Sequence, residues 1–363
     1  MEKNHYDYML EAADLSLKNI AKRKEITKEF VEFFTAKPYK RIHMVGSGSS
    51  YNIANQARYF VQRILGMEVR VSWAYTFQKY NCSYIDDETL VIFCTQGGFS
   101  TNTVLAARAL KGAGKDCIAM CKFGDTPIKD EVKALINYHF TEGDKYQTKG
   151  FIMSPLYIML CALESSLVLK KIDTKTYDKT VEQLTKACKK LPELRALSET
   201  FYTENQEFFR LCNRIMCIGC GPNFGVALEG SLKYEETYGC HADPFELEEL
   251  LHGKLCEVTK DTTIFFTDTV TSAVHERTVE VYNVLHDICD RNVIITDSES
   301  AKGKYVLRYK AEDIPEDIAV LFQIVPYQYF TYMTCADTRV EAHSRERVNC
   351  TKKLATKYPG VKF

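Results

Sequence analysis

The chain has 363 residues, enough for two domains, and its 45% hydrophobic and 26% charged content is that expected of a soluble globular protein. With 47 basic and 48 acidic residues the net charge is −1, which excludes a general pull toward nucleic acid or an anionic membrane surface. Any phosphate-bearing partner must therefore be held by a local site.

The N-terminal MEKNHYDYML has no basic-then-apolar signal pattern, and no apolar run approaches the roughly 20 residues that span a bilayer, so a cytoplasmic location is expected. The 14 cysteines fall mostly in apolar segments and are read as reduced core residues. Cys217 and Cys220 form one C-x-x-C, but no second pair stands at zinc spacing. No metal or cofactor is expected.

Apolar positions recurring at three and four residues predict helices over Tyr6–Ala21 and Ile26–Phe34. A strand follows at Arg41–Val45, then the turn Gly46-Ser47-Gly48-Ser49-Ser50 and a helix over Asn52–Leu65. Strands at Val69–Trp73 and Leu90–Cys94, the turn Thr95-Gln96-Gly97-Gly98, a helix over Ser100–Lys111 and a strand at Cys117–Met120 complete the first half. The stretch Ser154–Asn213 is helical in pattern, with Leu191-Pro192 as the expected break between halves. Strands resume at Ile215–Ile218, Thr263–Thr267 and Val293–Thr296, with helices at Phe224–Tyr238, Ala273–Cys289 and Ile318–Tyr332. Alternating β and α with short turns predicts an α/β protein whose mainly parallel, doubly wound sheets are covered by helices. The expected division is N-terminal helices over 1–34, domains over 35–192 and 193–340, and a tail over 341–363.

The halves also repeat. IHMVGSGSSYNIA from Ile42 and IMCIGCGPNFGVA from Ile215 share two glycines and an alanine at one offset of 173 residues, which suggests two copies of one α/β unit. In the first copy the glycines let a ligand approach backbone amides at a helix start, and the serines add donors, so the turn suits an anion. Thr95-Gln96-Gly97-Gly98 with Ser100 is a second such turn, and the two would converge at the carboxyl ends of neighbouring strands. Tyr51 stands where a dinucleotide fingerprint requires glycine, and no P-loop lysine follows. The second copy's turn, Gly219-Cys220-Gly221-Pro222-Asn223, lacks hydroxyls and reads as structural.

Glu229, Lys233 and Glu236 lie at i, i+4 and i+7 of one predicted helix and share a face. The bland reading is a solvated charge stripe. The chemical reading is an aldose–ketose site, where a base moves a proton between C1 and C2 and a cation steadies the enediolate oxygens. His252, before Gly253 at the end of an acidic segment, could open the sugar ring.

Ala227-Leu228-Glu229-Gly230-Ser231-Leu232-Lys233, Glu236, His241-Ala242 and His252-Gly253 resemble the isomerase half of glucosamine-6-phosphate synthase without a gap. Gly48-Ser49-Ser50-Tyr51-Asn52 and Thr95-Gln96-Gly97-Gly98 with Ser100 resemble its two sugar-phosphate turns, and Thr141-Glu142 with Thr148-Lys149 fits a further loop. The resemblance covers about residues 35–340 and implies two tandem sugar isomerase (SIS) domains. It implies Glu236 as the proton-transfer base, Lys233 at the sugar oxygens, and His252 in ring opening from a neighbouring subunit, hence a homodimer. Gly48, Ser49, Ser50, Thr95, Gln96, Gly97 and Ser100 would hold the phosphate and nearby hydroxyls.

Three departures follow from the same comparison. No cysteine stands at position 2, so a glutaminase half is not expected. Gly97 and Phe99 stand where the synthase has a serine and a glutamate. Its C-terminal tail, which supplies a Schiff-base lysine, is not matched by Arg345–Phe363. Lys352, Lys353 and Lys357 are the candidates there, against a bland reading as a solvated basic tail. Chains of this build resemble deglycases, which split a 6-phosphorylated fructosamine into sugar phosphate and amine. The expected function is a fructosamine-6-phosphate deglycase or phosphosugar isomerase. A non-catalytic sugar-phosphate sensor and a structural helper are the alternatives.

Overall fold

Two five-stranded parallel sheets organise the chain, each flanked by helices, in a computed structural model that describes residues 5–122, 124–143, 148–310, 313–338 and 345–359. The N-terminal helices are α1 (His5–Ala21), α2 (Arg23–Ile26) and α3 (Lys28–Thr35). The first sheet contains β1 (Arg41–Gly46), β2 (Glu68–Trp73), β3 (Thr89–Cys94), β4 (Cys117–Cys121) and β5 (Ala134–Asn137), in the order β2-β1-β3-β4-β5. Between them run α4 (Ser49–Leu65), α5 (Ala74–Thr76) and α6 (Thr101–Gly112), followed by α7 (Gly150–Val168) and α8 (Thr174–Glu204). Every residue of β3 and β4 is buried, as continuous apolar runs require when helices cover both faces.

After α9 (Gln206–Arg210), the second sheet contains β6 (Arg214–Gly219), β7 (His241–Glu246), β8 (Thr263–Thr267), β9 (Asn292–Thr296) and β10 (Tyr305–Arg308). Its order, β10-β9-β8-β6-β7, is the first sheet's order read from the other edge. The helices here are α10 (Pro222–Lys233), α11 (Leu247–Leu251), α12 (His275–Val284), α13 (Glu316–Gln323) and α14 (Val325–Thr338). Helix α15 (Arg345–Lys353) precedes the tail. The duplication is real at backbone level: β1 and β6 begin and end 173 residues apart, and Gly48 and Gly221 both take φ 55°.

Three expectations are corrected. Pro192 does not break the chain, because α8 runs through it from Thr174 to Glu204 and gives up one helical hydrogen bond there. The units that pack together are not contiguous intervals either. Among the described residues, the first sheet gathers those within 18–143, 149–181 and 345–359, while the second gathers those within 5–17, residue 148 and those within 182–338. Helix α7, contrary to expectation, is long and apolar enough by length and composition to cross a bilayer. It is nevertheless buried, packed on α3 and α4, as an all-round apolar helix in a protein core must be. Its one ionised residue, Glu164, meets Arg23 at 3.1 Å and accepts from Tyr177 Oη at 2.5 Å.

Strands β5, β7 and β10 escape the sequence reading. All three are edge strands. Two have only four residues, and β7 contains Pro244, which is tolerated on an edge strand because one side of such a strand has no neighbour to donate to. The cysteines are free, and Cys217, first of the C-x-x-C, is buried in β6.

Candidate active site

The first turn is built by steric necessity. A Cβ on Gly46 would stand 2.7 Å from the Ser50 carbonyl carbon, so the chain folds back tightly only with glycine there. Gly48 supplies the left-handed residue before α4. Ser49 and Ser50 are the first two residues of that helix, at the positive end of its dipole. Ser47 Oγ accepts from Asn102 Nδ2 at 2.8 Å, which ties this turn to α6. The second copy uses the same geometry, with a Gly219 Cβ 2.4 Å from the Asn223 carbonyl oxygen, but puts no hydroxyl there.

In the second turn, Thr95 Oγ1 accepts from the Gly98 N–H at 3.1 Å and so shapes the loop itself. Gln96 is buried, donates from Nε2 to Ser154 Oγ at 3.1 Å, and leaves Oε1 without a partner. Gly97 stands ahead of Gly98, which takes φ 73° against Thr126. Glu142, from the further loop, accepts the N–H groups of Lys149 and Gly150 at 2.5 and 2.9 Å and caps the start of α7.

The tail is not a solvated appendage. Residues 355–358 lie across the second turn, with Lys357 bridged to Ser100. The Thr101 N–H donates to Thr356 O at 3.2 Å, and the Tyr358 N–H to Phe99 O at 2.8 Å. Thr101 Oγ1 donates to Ala355 O at 2.6 Å. Arg108, held by Glu131 at 2.7 Å, donates to Tyr358 Oη at 2.7 Å and anchors the end. Lys352 and Lys353 on α15 and Lys357 in the tail are all exposed, but Lys357 is set beside the second turn, where partial desolvation of its ammonium lowers its pKa. Nothing local in the sequence signals this docking. It depends on Arg108 and Tyr358, which lie 250 residues apart.

The charged helix face differs most from its bland reading. Lys233 Nζ lies 3.1 Å from Glu229 and 2.8 Å from Glu236. The Glu229 side chain is 0% exposed, that of Lys233 2% and that of Glu236 33%. Burial opposes the Lys233 charge, but the two carboxylates outweigh it and hold its pKa above the ordinary value. The predicted single α-helix is corrected too. After Lys233 the backbone widens into a π-turn, Tyr234–Tyr238, closed by the Gly239 N–H on Tyr234 O at 2.9 Å. Such turns gather at functional sites, and this one carries the partly open Glu236. Gly230 lets α10 approach α14, since a Cβ there would stand 2.6 Å from the Tyr327 ring.

Helix α11 is short, with Glu246 Oε2 accepting from the N–H groups of Glu248 and Glu249, which explains the acidic segment. His252 ends it, exposed, next to Gly253 at φ 99°. Among the described residues it makes no hydrogen bond with the Lys233–Glu236 pair. The structure therefore brings together Glu229, Lys233 and Glu236 in one unit, and the two turns with the tail in the other.

The duplicated five-stranded parallel fold thus carries polar turns at the strand ends of one unit and, in the other, the buried Glu229–Lys233 pair with the partly open Glu236. Residues 37–161 match the family model of the SIS domain, a span that carries the first of the two five-stranded parallel sheets. Among its relatives, the chain is 25% identical over 303 residues to the isomerizing glutamine–fructose-6-phosphate aminotransferase of Pseudomonas putida, covering 81% of this chain and 48% of that one. It is 24% identical over 346 residues to the enzyme of that name from Clostridium perfringens, covering 89% and 52%. The chain thus spans about half the length of the curated relatives it matches. Among solved structures, a Clostridium difficile 630 protein assigned as a phosphosugar isomerase has TM-score 0.87 at 23% identity, over 97% of this chain and 98% of that one. The C-terminal domain of glucosamine-fructose-6-phosphate aminotransferase from Francisella tularensis has TM-score 0.78 at 18% identity, over 94% and 98%. At these identities the structural likeness concerns the fold.

Proposed function

We propose a cytoplasmic, homodimeric enzyme that acts on a ketose or fructosamine 6-phosphate by proton transfer between C1 and C2. The observation that carries this reading is the buried Lys233 cation joined to the partly open Glu236 on a π-turn. A carboxylate in that setting can reach a substrate carbon, while a permanently charged ammonium beside it stabilises the oxyanion that forms. Glu236 takes the proton from C1 and returns it to C2. Lys233 faces the enediolate oxygens, and His252, reaching a neighbouring subunit's site, opens the ring. Gly48, Ser49, Ser50, Thr95, Gln96, Gly97 and Ser100 hold the phosphate and its neighbours. Lys357 is the tail lysine assigned to the substrate's carbonyl.

With a fructosamine, the transfer leaves an imine at C1. Water adds to that carbon, the C–N bond breaks, and the nitrogen leaves as the free amine with the proton. With a ketose phosphate, the same transfer ends at the aldose. The deglycase is the preferred reading. A product assay over 6-phosphorylated fructosamines, fructose 6-phosphate and glucosamine 6-phosphate decides between them. Glu236→Gln should abolish turnover and keep sugar-phosphate binding, and full activity in that variant would sink the assignment. Sugar-phosphate binding with no product after long incubation would instead favour a sensor.

A further inference from the structure

Strand β2 is one edge of the first sheet, and its outward backbone groups bond nothing among the described residues. Such an edge is a template for one further strand. It does not lie on a flat face. Residues 68–72 line a cavity of about 640 Å³ together with Arg58 and Tyr59 of α4 and with Asn81 and Tyr84, all within the first-sheet unit. The cavity also carries one unbalanced charge. Glu68 and Arg70 pair at 2.7 Å and cancel, and the lining His43 is neutral at pH 7, its pKa lowered to about 4 by burial first and Arg70 second. That leaves the Arg58 guanidinium. It lies 4.3 Å from the Tyr59 ring centroid and donates to Tyr59 Oη, contacts that hold its plane. Among the described residues no carboxylate pairs with it, and its Nε has no hydrogen-bond partner.

We propose that this cavity is a docking groove for an extended peptide with an acidic side chain, which adds to β2 as an outer strand and sets its carboxylate on Arg58. The free edge supplies backbone pairing, and the side chains around it supply the selection, as in other strand additions. A carboxylate can take two parallel hydrogen bonds from a guanidinium, which suits an arginine with no acidic partner of its own. A second copy of this chain is the poorer occupant, because its own β2 is equally recessed and two recessed edges do not meet. None of the residues assigned to the sugar phosphate takes part.

The full chain is titrated at pH 7 with a fluorescein-labelled, end-capped hexapeptide of alternating valine and glutamate. Its valine–lysine counterpart and the valine–glutamate peptide N-methylated at every residue are the controls. Anisotropy reads binding, and amide hydrogen exchange reads where the peptide lies. The valine–glutamate peptide should bind and slow exchange over residues 68–72. Both controls should bind at least about tenfold more weakly, one for its charge and the other for its missing N–H donors. Arg58→Gln should weaken the valine–glutamate peptide by about tenfold, and Arg58→Lys, which keeps the charge, by about threefold at most. Should either variant fail to fold, the three peptides on the parent chain still decide. Equal binding of either control overturns the groove, as does binding that leaves exchange over residues 68–72 unchanged. Exchange there that slows with protein concentration alone assigns the edge to a second copy and overturns it too. No binding at millimolar peptide does the same.

Discussion

Lys233→Met tests the buried charge group quantitatively. The substitution keeps the apolar stem and leaves the Glu229 carboxylate, 0% exposed, without its ammonium. Holding that carboxylate charged would cost several kcal/mol. Taking up a proton limits the cost to that of neutralising an ordinary glutamate, about 1.4 kcal/mol per pH unit above about 4.3, or about 3.7 kcal/mol at pH 7. The variant should therefore lose about 3–4 kcal/mol at pH 7 and only about 1 kcal/mol at pH 5. The sign follows from linkage. In the variant Glu229 has a folded-state pKa above its unfolded value, so the folded chain binds the extra proton and stability falls as pH rises. In the parent, the raised Lys233 pKa contributes stability that is fully present below about 10.5, so that group leaves the parent's acid profile unmoved. Urea midpoints and slopes by circular dichroism at pH 5, 6 and 7 measure the difference between variant and parent. A loss below about 1 kcal/mol at pH 7, or an equal loss at all three values, would refute the reasoning. Glu229→Gln keeps the Lys233–Glu236 pair and should cost less, about 1–2 kcal/mol.

Other outcomes are equally specific. Gly230→Ala places a methyl 2.6 Å from the Tyr327 ring, which Thr267 holds by a 2.9 Å hydrogen bond, and should destabilise the fold by about 1–3 kcal/mol in thermal melts. His43 is buried with its pKa lowered to about 4, by burial first and the Arg70 charge second. The neutral ring is the one that fits, so its contribution is complete above about pH 6.5 and is lost down to pH 4, by up to about 3 kcal/mol. His43→Gln should flatten that window in denaturant midpoints. Tyr358→Phe removes the hydroxyl that accepts from Arg108. It should speed amide exchange over residues 355–358 and lower turnover severalfold, while unchanged exchange would show that this contact does not hold the tail.

The sequence by itself determined the α/β class, both glycine turns, the duplication and the candidate base. Each is a local signal. Buried central strands read as apolar runs, Gly46 and Gly48 are demanded by a turn only they can make, and an acid three residues after a lysine is visible as letters. The edge strands were not legible, because four residues or a Pro244 give no alternation to read. Only tertiary structure decided whether Glu229–Lys233–Glu236 was a solvated stripe or a buried group. Spacing sets which side chains share a helix face, whereas burial depends on what packs over it, here α14 and its Tyr327 against Gly230. The tail was decided the same way, since Arg108 and Tyr358 meet only once the first sheet has folded and drawn residues 355–358 onto the Ser100 turn.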